Sequence, residues 1–473
     1  MSVWPIVLVG LLMAVEAWPG AAGVPLEVPL SVRALVALSI GSKAALVLIG
    51  WWRMRRAMGA RRDGRGAIAS AEGALRRLRG LVLVSFGLDL GLGWLAAVRG
   101  GLGDWVGIDE AVAALPALMA WWGLAMVAWP LERRVREARL IGAIDQGGGL
   151  TEEMGRGLRA GAWGYAAGRA RMEWLPLLAV LGLALVWQEA VDGWAGTRGG
   201  GWRVEAVRMV GVGIVLVALP WLVRWSWGLS GVNGTELAGE LTVAWRTAGC
   251  RAGRVMLWRP AGGQANAAVV GVIPWGRVVM VSETLVEGLT ADERAAVVGH
   301  EAGHVRHRHM VWLGASSIAL VMLGGAAAKW VAWRAGVDAA TAEAIALGAG
   351  LVVWWWGFGV VSRMAERQAD AHAVRALSGA AGFDDGGAGR GTTTDAAVAA
   401  MSGALHRVAV LNGAAETRWT WRHGSIAGRR RAIAGLVGRP VRAYPADAAM
   451  RIAKAATVLG LGGAAVLWWV GWV

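Results

Sequence analysis

The chain has 473 residues, of which 56% are hydrophobic and 17% charged, with a mean hydropathy of +0.47. That is too apolar for an ordinary soluble protein and reads as a polytopic membrane protein, while the single cysteine, Cys250, excludes an internal disulfide and leaves the redox compartment open. The net charge of +15 does not point to nucleic acid, because the arginines flank apolar segments as positive-inside loops do and no nucleic-acid-binding module is recognisable.

In chain order, Val3 to Trp18 is a short apolar run carrying Glu16 with no basic stretch before it, so it reads as a weak span rather than a cleaved signal peptide. Stronger spans follow at Ala34 to Trp52, Leu81 to Val98 and Ala111 to Trp129, each near the ~20 residues that a bilayer core requires. Arginines from Arg53 to Arg79, and again from Arg133 to Arg171, place those loops in the cytoplasm with the amino terminus inside. Lys43 and Asp89 fall about 12 to 14 Å deep on sequential antiparallel spans, which makes them candidates for a buried ion pair; the bland alternative is a snorkelling lysine and a protonated aspartate. Gly87-x-x-x-Gly91 suggests a close helix contact, weakly in so glycine-rich a chain. Trp174 to Trp187 and Val207 to Trp225 enclose an outside loop with a glycine run at Gly199 to Gly201.

Ser226 to His309 looks globular. LTVAWRTAGC reads as helix, and RVMLW, AAVVGVI and RVVMVS as strands, the last after a turn at Pro274 to Gly276. TADERAAVVGHEAGHVRHRH, from Thr290 to His309, then places His300, Glu301 and His304 in the spacing H-E-x-x-H on one helix that opens with a capping box of Thr290 and Glu293. Two imidazoles at i and i+4 share a face and suit Zn²⁺, while Glu301, beside the metal but not on it, can take a proton from bound water. Peptide hydrolysis is the implied chemistry. Glu366, in SRMAERQADAHA, is the expected third ligand, since Arg363, Glu366 and Asp370 share one helical face. His307 is the rival, lying over His300 on the same helix, but three ligands from one straight helix do not surround an ion tetrahedrally.

Val311 to Trp333 and Glu343 to Val361 form a hairpin of spans, and Ile452 to Val473 is the last. His304 precedes the first of these by about six residues and Glu366 follows the second by about five. Both ligands therefore leave the same membrane face at about 8 to 10 Å.

Asn266 and Ala267, VVMVSETLVEGLTADERAAVVGHEAGHVRHRH, SRMAERQAD and the HGSIAGR of His423 to Arg429 resemble, in order, the motifs of membrane zinc metalloproteases of the HtpX and CAAX-prenyl-protease types, metallopeptidase family 48. The resemblance covers roughly Gly228 to Leu436. It implies that one Zn²⁺ is held by His300, His304 and Glu366, with Glu301 as general base and His423 stabilising the oxyanion. Asp370 becomes a carboxylate behind the ligands, Arg429 a buried charge partner near it, and Arg363 a further neighbour. A strand at Asn266, Ala267 and Ala268 would bind an extended peptide by edge pairing. Gly424 stands where many members have proline, so that loop should be looser, and the glycine-rich insertion Gly379 to Asp395 lengthens the segment after the third ligand.

The expectation is an all-α polytopic membrane protein of about nine spans with a small α+β zincin-like metalloprotease domain. Residues 1–225 form a transmembrane bundle, 226–309 the first part of the protease domain, 310–361 a transmembrane hairpin, 362–451 the second part and 452–473 the final span. Its function is a zinc-dependent integral-membrane endopeptidase acting on membrane-associated or misfolded polypeptides, with the active site on the cytoplasmic side of what would be a bacterial cytoplasmic membrane. The alternatives are a BlaR-type sensor protease and a catalytically silent zinc scaffold; His309 and the HGSIAGR segment speak against the first and an intact Glu301 against the second.

Overall fold

The computed structural model describes residues 30–59, 64–103, 108–145, 161–196, 202–232, 235–251, 253–259, 264–379, 391–441 and 444–469. The apolar run Val3 to Trp18, the glycine run at 199–201 and most of the insertion at 379–395 lie outside them. The chain is mostly helical and divides into two compact units, Met1–Trp227 and Gly228–Val473.

In the first unit the described helices are α1 (Val32–Gly59), α2 (Gly64–Gly91), α3 (Trp94–Leu102), α4 (Ile108–Asp145), α5 (Ala162–Glu173), α6 (Leu175–Ala195) and α7 (Trp202–Trp227). Val82 and Phe86 of α2 and Leu124 of α4 are fully buried in its core. Close approach is made at Gly50 of α1, where a Cβ would come within 2.8 Å of the Leu124 side chain. A Cβ at Gly91 would meet open space, so the Gly87–Gly91 spacing does not mark a contact there. Instead α2 ends at Gly91, the chain turns through Gly93 at φ 89°, and α3 leaves at 64°. The span expected from Leu81 to Val98 is therefore broken, because only glycine takes that backbone conformation without strain.

Lys43 and Asp89 meet. The Lys43 ammonium contacts the Asp89 carboxylate and donates to Ser85 Oγ at 3.0 Å, while Ser39 Oγ donates to Asp89 at 2.8 Å. Both charges are buried and hydrogen-bonded, which is how ionisable groups persist inside an apolar bundle.

The second unit holds a four-stranded sheet of β1 (Ser230–Gly231), β2 (Arg254–Trp258), β3 (Ala267–Val270) and β4 (Val278–Ser282), in the order β1-β2-β4-β3. Valine-rich β4 is central and wholly buried, parallel to β2 and antiparallel to β3, with Ala267 opposite Val281 and Ala268 opposite Met280. That leaves β3 as a half-buried edge. The helices of this unit are α8 (Glu236–Thr247), α9 (Glu283–Gly288), α10 (Ala291–Arg306), α11 (His309–Arg334), α12 (Ala339–Leu377), α13 (Asp395–Leu411), α14 (Ile426–Ala434) and α15 (Pro445–Trp469), of which α8, α9 and α10 pack on the sheet.

Among the described residues, seven helices are long and apolar enough to cross a membrane, and α2 with α3 would make an eighth if that bent pair is one span. The chain is an integral membrane protein. Helices α11 and α12 form the hairpin that the apolar runs suggested, packed tightly enough that a Cβ at Gly350 would lie 2.7 Å from the Val321 carbonyl oxygen. Small residues at such contacts let backbones approach where no water-driven force favours association.

Candidate metal centre

The site forms where α10 crosses α12. Thr290 and Glu293 make the capping box that starts α10, each side chain bonded to the other's backbone N–H. Two glycines of α10, Gly299 and Gly303, then face two alanines of α12, Ala373 and Ala369. A Cβ at Gly303 would stand 2.9 Å from Ala369 Cα, and one at Gly299 3.2 Å from Ala373 Cα. The backbones are nearly in contact, and this brings the residues beside the glycines, His300 and His304, to Glu366 and Asp370.

His300 Nε2 and His304 Nε2 are 3.2 Å apart; His300 Nε2 lies 3.6 Å from Glu366 Oε2 and His304 Nε2 lies 3.6 Å from the other oxygen, Oε1, and one atom from each residue falls within 4.8 Å of the others. A tetrahedral zinc with bonds of about 2.0 to 2.2 Å spaces its ligand atoms about 3.3 to 3.6 Å apart, so the two imidazole nitrogens stand close to that spacing and the donor set of two imidazoles and a carboxylate suits that ion. The other atoms of these groups are already engaged. His300 Nδ1 is 2.9 Å from Asp370 Oδ1, off the line of an ideal hydrogen bond. His304 Nδ1 is 2.9 Å from His309 Nδ1. Arg429 grips Asp370 with two bonds of 2.8 and 2.5 Å and reaches Glu366 Oε2 at 3.1 Å, so its one positive charge is shared between two buried carboxylates.

Among the protein charges alone, burial pulls the His300 imidazole down but the hydrogen bond and charge of Asp370 more than offset it, and the net shift is upward. His304 has no such carboxylate; burial and the neighbouring His300 hold it well below the usual histidine range, neutral as a ligand must be. Burial raises the Glu301 carboxyl, with His300, His423 and Arg429 opposing and Glu366 adding. Glu301 makes no hydrogen bond or ion pair among the described residues, so its carboxylate is free to accept a proton.

His423 sits half-exposed with Nδ1 3.0 Å from Glu366 Oε1. Its loop is not loose. Thr420 and Gly424 exchange backbone bonds of 3.0 and 2.9 Å, and Gly424 has φ 70°, which proline cannot adopt. Among the described residues no hydrogen bond or ion pair joins Arg363 to the ligands; its guanidinium donates to the Trp421 carbonyl at 2.8 Å and stacks over Trp419, fastening that loop to α12. Asn266 is exposed at the start of edge strand β3, which packs on α10; its backbone carbonyl accepts from Ser282 N and its backbone N–H donates to Ser282 Oγ.

Thr290 to His309 is not one helix. Helix α10 ends at Arg306, His307 caps it, and Arg308 at φ 55° turns the chain into α11. His307 is thereby carried off the metal face and stacks on His309, where burial pushes its imidazole down to about 3. The roles of buried His309 and Gln368, whose side chains meet at 2.9 Å, went unread in the sequence, as did those of Gly299 and Gly303. Only the small-x-x-x-small spacing on both helices could have announced the glycines.

Residues 251–385, which contain the three candidate ligands, match the family model described as Peptidase family M48. A crystal structure of S. mikatae Ste24p is similar at 12% identity and a TM-score of 0.39, over 84% of this chain and 97% of that one. No curated protein matches the chain.

Proposed function

We propose that the chain, a membrane metallopeptidase of the M48 kind, is a zinc-dependent endopeptidase that cuts membrane-associated or misfolded polypeptides at the cytoplasmic face. The convergence of His300 Nε2, His304 Nε2 and Glu366 at zinc-ligand spacing carries this reading. Zinc held there would supply Lewis acidity towards water and a peptide carbonyl.

The protein's own groups divide the remaining work. Edge strand β3, from Ala267 and Ala268 onward, has no second strand partner among the described residues and presents that edge to an extended peptide, and Asn266 stands at its start. Glu301 takes the proton of the attacking water and returns it to the leaving amine; its upward shift by burial suits a base that must also act as an acid. His423 donates a hydrogen bond to the oxygen on which charge develops. Asp370 and Arg429 hold His300 and Glu366 in place. The arginine-rich loops support a cytoplasmic site, and the short reach from α11 and α12 keeps it near the headgroups.

Purified protein should bind about one zinc ion and cleave a flexible polypeptide such as casein. Glu301→Gln should abolish cleavage and keep the metal, whereas His300→Ala and Glu366→Ala should lose the metal. Cleavage by Glu301→Gln at the parent rate would refute the assignment.

A further inference from the structure

If His304 gives its Nε2 lone pair to a metal, its proton must sit on Nδ1. That nitrogen faces a buried relay. His304 Nδ1 is 2.9 Å from His309 Nδ1, and His309 Nε2 is 2.9 Å from Gln368 Oε1. Gln368 Nε2 donates to Asp447 Oδ1 at 2.8 Å, and Asp447 Oδ2 accepts from Arg375 Nη2 at 2.5 Å. His309, Gln368 and Arg375 are all buried.

We infer that Asp447, in the first turn of α15, fixes the metal-binding tautomer of His304 through Gln368 and His309. The inference rests on the zinc reading of the site. Its direction follows from counting donors rather than from hydrogen positions. Asp447, ion-paired to Arg375, only accepts, so Gln368 must turn its amide NH₂ towards it and its oxygen towards His309. His309 must then carry its proton on Nε2, which leaves Nδ1 bare, and the proton between the two imidazoles belongs to His304. Reversing the chain would set the Gln368 oxygen against a carboxylate, two acceptors with no proton between them, at a buried site where an unmade bond is costly. At His300 a carboxylate does the same in one step, since Asp370 lies directly against Nδ1. His309, Gln368 and Asp447 are positioning residues, and the relay joins α10, α11, α12 and α15.

The test uses the full chain in detergent, with zinc affinity measured by competition with a chromophoric chelator and the His304 tautomer by ¹⁵N shifts of histidine-labelled, chelator-stripped protein. Gln368→Leu and Asp447→Asn should each weaken zinc about 10- to 100-fold and lose the clean Nδ1–H signature. Gln368→Glu in the Asp447→Asn background should restore both, because a carboxylate at 368 accepts directly from His309. Asp447→Asn also removes the charge that pairs with Arg375, but Gln368→Leu leaves that pair intact, so an effect of the lost ion pair alone would appear only in the former. Parent-like zinc affinity in Gln368→Leu, or a proton on His304 Nε2 in the parent, would overturn the relay. Failure of the parent to bind zinc would remove the proposed function instead, and the nitrogen shifts would still decide the relay.

Discussion

His423 is the most exposed of the groups that converge on the site, and its geometry suits a transient contact. One ring nitrogen rests against Glu366 while half of the side chain faces solvent, on a turn that Arg363 and Gly424 hold rigid. A donor placed so can meet a substrate oxygen without reorganising the loop, and preorganised donors of this kind account for much of the rate in acyl-transfer sites. His423→Ala is therefore expected to lower kcat by about 10² to 10³ with zinc retained, the range for losing one such donor. Rates and bound metal measured on the same preparation check this; loss of zinc would make His423 a ligand rather than a donor.

The decisive contact between elements is the glycine–alanine face of α10 and α12. Gly303 lies against backbone, so an added methyl cannot be absorbed by a side-chain rotation and the helices must separate. Gly303→Ala gains about 1 kcal/mol of helix propensity but should lose more, since overpacking costs about 1 to 3 kcal/mol and the histidines move away from Glu366. Thermal unfolding and zinc affinity should both fall. Gly239→Ala in α8, where a Cβ meets open space, should be neutral or stabilising and serves as the control. Between α1 and α2 the binding device is polar instead: the Lys43–Asp89 pair with its serines fixes one register for that helix pair, since any slip would strand two buried charges.

Over the whole molecule, the arginine pattern predicts on which side the site lies. The native thiol is a quiet background for testing it, because Cys250 is buried and burial pushes it up to about 11. A cysteine placed at exposed Arg418, near the loop of His423, should react with a membrane-impermeant maleimide only after cells are permeabilised. One placed at exposed Gly101, in the last turn of α3 within the stretch 99–109 whose one basic residue is Arg99, should react in intact cells. The opposite labelling would put the site outside and discard a cytoplasmic substrate.

Local pattern was enough for the parts that depend on near neighbours. Apolar stretches of bilayer length, the short apolar runs that make β2, β3 and β4, the capping box at Thr290 and the i, i+4 histidines are all written within a few residues of where they act, as is the helical face shared by Glu366 and Asp370. Even the meeting of Lys43 and Asp89 could be anticipated by counting along two helices. What the sequence left open is whatever depends on how distant segments meet. Arg308 takes a left-handed backbone that no short pattern announces, and it removes His307 from the metal face. Arg363 points to a loop some sixty residues away rather than to the ligands beside it on its own helix. The tautomer of His304 is set by donors and acceptors from four helices, since a hydrogen bond's direction depends on the far end of its chain and not on the residues next to it.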